Sequence, residues 1–155
     1  MKLESAWDRD NEMYVRERLA AFTPAITWVN MPEFSAADLL GFSEGRVVNI
    51  VEVKTRKYSR IESERRYPSG LILKRRKLEE LITLSDLTNL TALVLFAFEH
   101  GSGEILSCMP STVGEKHNVE TGRRDRDLAT DREPVVLLDW TKDLRSFLPA
   151  QLSAS

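Results

Sequence analysis

DLLGFSEGRVVNIVEVK, residues 38–54, decides how this chain folds. Two apolar runs, Asp38–Phe42 and Val47–Val53, flank Ser43-Glu44-Gly45-Arg46. A glycine-bearing turn between two β-prone runs reads as a hairpin. Side chains alternate faces along a strand, so Glu52 and Lys54 point the same way and Val53 points into the core. In an antiparallel pair turning at residue 45, neighbours have numbers that sum to 90, so Asp38 opposes Glu52. The hairpin therefore sets two carboxylates on one sheet face, with a lysine one step beyond. This is the only Glu-x-Lys in the chain.

Two adjacent carboxylates repel, so one must take a proton or both must share a cation. Oxygen ligands of this kind suit Mg²⁺, or Mn²⁺ in its place, which binds through one or two carboxylates plus substrate phosphate. The Val53 main-chain carbonyl can add a third oxygen. A metal so held polarises a phosphoryl oxygen and acidifies a bound water. Lys54 is placed to orient that water or to offset charge developing on the phosphate. The competing reading of the same letters is a surface ion pair on a hairpin.

Outward from the hairpin, residues 5–22 read as an amphipathic helix capped by Ser5 or Asp8, with Val15, Leu19 and Phe22 as its buried stripe. Residues 25–31 read as a strand and 55–70 as a polar loop. Leu71–Leu73 is a short strand, and 75–86 a helix presenting Leu78, Leu81, Ile82 and Ser85. Thr91–Phe98 is apolar at nearly every position, as in a strand buried on both faces. Glu104–Met109 and Val135–Leu138 are further strands, 110–134 is a long functional or mobile loop, and Asp139 caps a short C-terminal helix ended by Pro149. The expected fold is α/β (α+β): a single mixed β-sheet flanked by helices, forming one domain over residues 1–155.

The 155 residues hold 22 Lys+Arg and 24 Asp+Glu, a net charge of −2 that excludes a uniformly basic nucleic-acid binder. The charge is unevenly spread. Lys54, Arg56, Lys57, Arg60, Arg65, Arg66, Lys74, Arg75, Arg76 and Lys77 face only Glu62 and Glu64, so residues 54–77 carry +8 and the rest −10. Such asymmetry points to a localised anionic partner. Lysine and arginine contacts to phosphate supply most sequence-independent affinity for nucleic acid, and Tyr58 and Tyr67 frame the loop for stacking on bases. Cations at residues 74–77 oppose the dipole of the helix they open, a penalty that a bound phosphate reverses. Arg123, Arg124 and Arg126 are interleaved with Asp125 and Asp127, leaving only substrate contact to consider.

The longest apolar run, Ala92–Phe98, is seven residues, far short of the roughly 20 of a membrane helix, and no membrane partner is expected. The opening MKLESAWDRDNE lacks the apolar core of a secretory signal. Cys108 is the single cysteine, which excludes an internal disulfide and thiolate-rich zinc sites. His100 and His117 lack metal-ligand spacing and read as surface or loop residues. A reducing cytosol is the natural reading of a chain without disulfides.

The order of elements over about residues 5–100, with Asp38 and Glu52-Val53-Lys54 on the hairpin, resembles the PD-(D/E)XK nuclease superfamily, whose members share a restriction-endonuclease-like core. Ala37 stands where the motif's name has proline. The resemblance implies that Asp38 and Glu52 hold the metal and that Lys54 is the catalytic lysine. Resolvase-like members add a glutamate from the first helix. Glu12, three residues before Val15 on the buried stripe, is the better candidate and Glu17 the other. The implied function is a Mg²⁺- or Mn²⁺-dependent nuclease, probing DNA ahead of RNA. Arg56, Lys57, Arg60, Arg65, Arg66, Lys74, Arg75 and Lys77 would hold the backbone. A structure-specific role in junction processing, repair or recombination is the natural refinement, and symmetric cutting would call for a homodimer. The alternatives are a non-catalytic nucleic-acid-binding module on the same fold and an enzyme acting on a small phosphorylated substrate.

Overall fold

The hairpin forms the middle of the molecule. In the computed structural model, which describes residues 6–32, 35, 37–98, 104–113, 119–120 and 134–152, strands β2 (Leu39–Ser43) and β3 (Arg46–Arg56) pair antiparallel. Leu39↔Val51, Leu40↔Ile50 and Gly41↔Asn49 keep the sum of 90, and a bulge at Gly41/Phe42 then shifts the register by one toward the turn. Glu44 (φ 51°) and Gly45 (φ 75°) both have positive φ, the signature of the tight two-residue turn whose twist matches that of its strands.

Helix α1 (Ala6–Phe22) precedes β1 (Thr27–Asn30), which lies on the outer side of β2. Beyond β3 come β5 (Thr91–Phe98), β6 (Ile105–Cys108) and β9 (Arg145–Ser146), completing a six-stranded sheet in the order β1-β2-β3-β5-β6-β9. Among the described residues of this sheet only β3 and β5 run parallel. A parallel pair needs a long crossover. Here it is α2 (Arg60–Arg66), β4 (Leu71–Lys74) and α3 (Arg75–Thr88).

Alternation along β3 divides the core. Val51 and Val53 pack with Val15 and Leu19 of α1, while Ile50 packs with Leu78 and Leu81 of α3. Each fully buried aliphatic side chain is worth about 1.5–3 kcal/mol relative to exposure, so both helices are held chiefly by these stripes. The last residue of the α1 stripe departs from expectation: Phe22 is 40% exposed, and its ring meets Arg18 and Phe147 at the rim. Ser5, proposed as a cap, lies outside the described residues, and Asp8 sits within the helix.

A second sheet, absent from the sequence reading, has the order β4-β8-β7, with β7 at Val119–Glu120 and β8 at Pro134–Leu138. Leu71, Leu73, Val136 and Leu138 join the core cluster of α3, which ties this small sheet to the helix. The expected loop at 55–70 contains α2. Its signal is in the sequence: Ser59-x-x-Glu62 is a capping box, with the Ser59 hydroxyl accepting from the Glu62 N–H at 3.2 Å.

The expected C-terminal helix is also replaced. Asp139 caps a turn, accepting from the Thr141 and Lys142 N–H groups at 2.9 Å each, and these bonds hold its carboxyl down at about 2. The chain then extends as β9 along β6, and Pro149 opens a 3-10 turn, Pro149–Gln151. Between 110 and 134 the described parts are a 3-10 turn at Pro110–Thr112, Val113 and β7. His100, His117 and the arginines at 123, 124 and 126 lie outside the described residues. Among the described residues no helix is long and apolar enough to cross a membrane.

Candidate active site at the end of the central hairpin

Asp38 sits one residue before the first ladder pair of β2. Its N–H donates to the Val51 carbonyl at 3.0 Å, and its Oδ2 accepts from the Val53 N–H at 2.7 Å. The aspartate side chain thus takes the place of a strand partner where β2 has run out. The N–H and C=O of one strand residue face the same neighbour, so the Val53 carbonyl also faces the Asp38 side, past the last β2 pair.

Glu52 is the next carboxylate. It is only 4% exposed, paired in register with Val94 of β5. Its face of the sheet is the α3 face, because Val51 and Val53 occupy the other. Burial, then the nearby Asp38 charge, raises its pKa from 4.5 to about 7. Two lysines oppose that rise. Lys54 Nζ stands 3.4 Å from Oε1, and Lys77 Nζ stands 3.5 Å from Oε2. Desolvation outweighs both ion pairs, as expected where a carboxylate is withdrawn from water and its cations remain partly exposed.

The sequence reading therefore finds Asp38, Glu52 and Lys54 converging. It assigns Lys77 to phosphate contact, and the structure sets it on Glu52 instead. Glu12 does not join them. Helix α1 covers the opposite face of the sheet, and the Glu12 Oε1 accepts from Asn30 Nδ2 at 3.5 Å, at the end of β1. Glu17, the other candidate, is exposed. Among the described residues no group of three or more His, Cys, Asp or Glu side chains converges.

The donor set fits a hard divalent cation in one respect above others. Glu52 Oε2 is buried and accepts no hydrogen bond. An ionised oxygen left that way is costly, and the Lys77 ammonium at 3.5 Å does not offset the loss of water, since the Glu52 pKa stays raised. Asp38 is the nearby second carboxylate, and the Val53 carbonyl is a third hard donor, which is the chemistry Mg²⁺ and Mn²⁺ take.

The basic segment is less free than its charge suggests. Arg56 Nη1 donates to the Thr55 carbonyl at 2.9 Å and Nη2 to the Ile72 carbonyl at 3.1 Å, with the guanidinium 5.2 Å from the Phe96 ring centre. Burial lowers its pKa. It joins β3 to β4, and the expectation that it grips phosphate is replaced by a structural task. Arg60 pairs with Glu64, Arg65 and Arg66 pair with Glu62, and Arg75 and Arg76 pair with Glu79 and Glu80. Counted from Glu52 to Glu80, the segment carries +5 where residues 54–77 alone carry +8. These are exposed pairs worth at most about 1 kcal/mol each, which an arriving phosphate can displace. Tyr58 is flanked by Lys57 at 5.4 Å and Arg66 at 4.2 Å, an aromatic face set among cations.

No curated protein matches the chain. Among solved structures it is similar to Hjc, a Holliday junction resolvase from the archaeal hyperthermophile Archaeoglobus fulgidus, at 15% identity and a TM-score of 0.49, over 70% of this chain and 79% of that one. A family model described as "Phage putative PDDEXK endonuclease" matches residues 1–146, a span that takes in the hairpin, Asp38, Glu52 and the whole crossover. The chain belongs to that family of phage PDDEXK endonucleases.

Proposed function

We propose that the protein is a Mg²⁺- or Mn²⁺-dependent endonuclease that hydrolyses phosphodiester bonds in DNA, with Asp38, Glu52 and the Val53 carbonyl as metal ligands and Lys54 as the catalytic lysine. The observation that carries this reading is the buried Glu52 oxygen without a hydrogen bond, beside Asp38 and bracketed by lysine. Bound there, a divalent ion supplies an acidified water and a polarised phosphoryl oxygen. The protein does the rest. The Val53 N–H fixes the Asp38 carboxylate, burial fixes Glu52, and Lys54 holds a positive charge near the reacting phosphate. Lys57, Arg65, Arg66, Lys74 and Arg76 supply backbone attraction on the exposed side of the crossover. Lys74 precedes α3, whose first turn contains no acid, so a phosphate there is favoured by both charge and dipole.

Branched or strand-separated DNA is the substrate class proposed here. The expected assay result is cleavage of flap or four-way-junction DNA in Mg²⁺ or Mn²⁺, abolished by chelation. Asp38→Asn and Lys54→Ala should each lower cleavage by a factor on the order of 10²–10³. Either variant cutting at the wild-type rate overturns the assignment of roles. The specific observation favouring a binding-only module is that lysines stand against both Glu52 oxygens. That reading predicts salt-sensitive DNA binding with no cleavage in any divalent metal.

A further inference from the structure

Glu52 is bracketed by two lysines that differ in one respect. Lys54 lies on the same strand as Glu52, and among the ion pairs of the described residues Glu52 is its acidic partner. Lys77 arrives from the first turn of α3 and stands between two acids: Glu52 Oε2 at 3.5 Å and Glu80 Oε2 at 3.7 Å. Its side chain is 19% exposed, whereas that of its neighbour Arg76 is 71% exposed. A lysine in a first helical turn opposes the helix dipole, and α3 has neither a side-chain cap nor an acid in that turn to offset it. The helix dipole therefore gives no reason for the ammonium to be there. The Glu52 oxygen does.

Resting on the metal-site reading above, we propose that Lys77 is a placeholder cation: it occupies Glu52 in the metal-free protein and passes to Glu80 when the divalent ion binds. The physics is a competition for one oxygen. A divalent cation between Asp38 and Glu52 repels an ammonium 3.5 Å from the same carboxylate. Glu80 lies one helical turn along, 42% exposed, and can accept the displaced charge without any movement of α3. The arrangement keeps Glu52 in place before loading. Its consequence is a metal affinity weaker than the two carboxylates alone would give. Lys77 is thus a positioning residue, acting through Glu52.

Mn²⁺ titration calorimetry on the metal-stripped full chain tests this. Lys77→Met removes the competitor and keeps the apolar stem, so Mn²⁺ should bind about tenfold more tightly. Glu80→Gln removes the alternative acceptor, so Mn²⁺ should bind roughly threefold more weakly. Glu79→Gln makes the same charge change one residue away, on the pair with Arg75, and should leave affinity unchanged. Opposite shifts in Lys77→Met and Glu80→Gln support the exchange. Mn²⁺ affinity in Lys77→Met equal to or weaker than wild type overturns it. Equal shifts in Glu79→Gln and Glu80→Gln also overturn it, because general surface charge would then be the cause. Those two surface variants keep the test valid if Lys77→Met fails to fold. A wild-type chain that binds no Mn²⁺ removes the metal site and this inference together, whereas wild-type binding with unresponsive variants removes the inference alone.

Discussion

Strand β3 withdraws two charges from water four residues apart, and it treats them in opposite ways. Arg56 is partly buried with two main-chain carbonyls and an aromatic ring around its guanidinium. Glu52 is buried with one oxygen that accepts no hydrogen bond, and although lysine ammoniums stand 3.4 and 3.5 Å away, burial and a second carboxylate still raise its pKa. A charge held by two main-chain hydrogen bonds is a fastener, joining β3 to β4 in the second sheet. A buried carboxylate of raised pKa is what the proposed metal site uses, since stability alone would favour a neutral residue there. The same strand therefore states, by the quality of its solvation, which end serves the fold and which end serves chemistry.

The largest expected effect comes from removing the under-served charge. Glu52→Gln should lower metal-dependent cleavage by a factor on the order of 10²–10³, while raising the stability of the metal-free protein at neutral and alkaline pH. The sign follows from linkage. The folded pKa lies near 7 and the ordinary one at 4.5, so between them the native state holds more protons than the unfolded state. Metal-free stability due to this group should fall as pH rises from about 4.5 to about 7, by about 3 kcal/mol, and stay flat beyond. Urea unfolding of the chelator-treated protein across that range checks it. The Glu52 contribution to the slope should vanish in the Gln variant, and added Mn²⁺ should reverse the loss in wild type. A variant that is less stable than wild type at pH 8 would make Glu52 a fastener like Arg56.

Arg56→Met should give the reverse pattern. The Ile72 carbonyl loses its donor and the strut between the sheets goes with it, costing about 1–3 kcal/mol. Chemical denaturation measures this loss, and it should be largely independent of pH between 5 and 8. Arg56→Lys should recover only part of it, because one ammonium cannot span the Thr55 and Ile72 carbonyls as the guanidinium fork does. Binding of Mn²⁺ by the folded fraction should be retained. Loss of metal binding at unchanged stability would move Arg56 from the fold to the site.

The contrast explains what could be read from the letters. Asp38, Glu52 and Lys54 were legible because the hairpin is local: alternation and a two-residue turn fix which side chains meet, and Leu39↔Val51 confirms the register up to the residue beside Asp38. Thr91–Phe98 was legible as a strand buried on both faces because seven of its eight residues are buried. Lys77 at Glu52 was not legible, since 25 residues separate them and their meeting depends on how α3 docks. That docking rests on β4 and β8, short strands more than 60 residues apart whose pairing leaves no local trace. Arg56 was read as a phosphate contact because its partners are main-chain carbonyls, which no residue pattern displays. Glu12 reads as part of the Val15–Leu19 stripe of α1, and that stripe faces Val51 and Val53, across the sheet from Glu52. Helix α2 was missed for a different reason: charge density hid the Ser59–Glu62 capping box.

The smallest expected effect isolates a charge for which burial contributes nothing. Glu44 sits on the turn leading into β3, exposed, with φ 51°. Whatever Glu44 costs is a backbone cost, because a glutamate in the left-handed region crowds its Cβ against the following carbonyl. Asparagine tolerates that region and is favoured at the first position of this turn type. Glu44→Asn should therefore stabilise the protein by about 0.5 kcal/mol, a rise in Tm of roughly 1–2 °C for a chain of this length. Metal-dependent cleavage should be unaltered. Thermal unfolding of Glu44→Asn beside Glu44→Gln separates backbone from charge, because Gln removes the charge and keeps the backbone cost. A gain in Glu44→Gln equal to that in Glu44→Asn would mean that the Glu44 charge, and not its backbone, is the source of strain, and the distinction drawn along β3 would then extend to its turn.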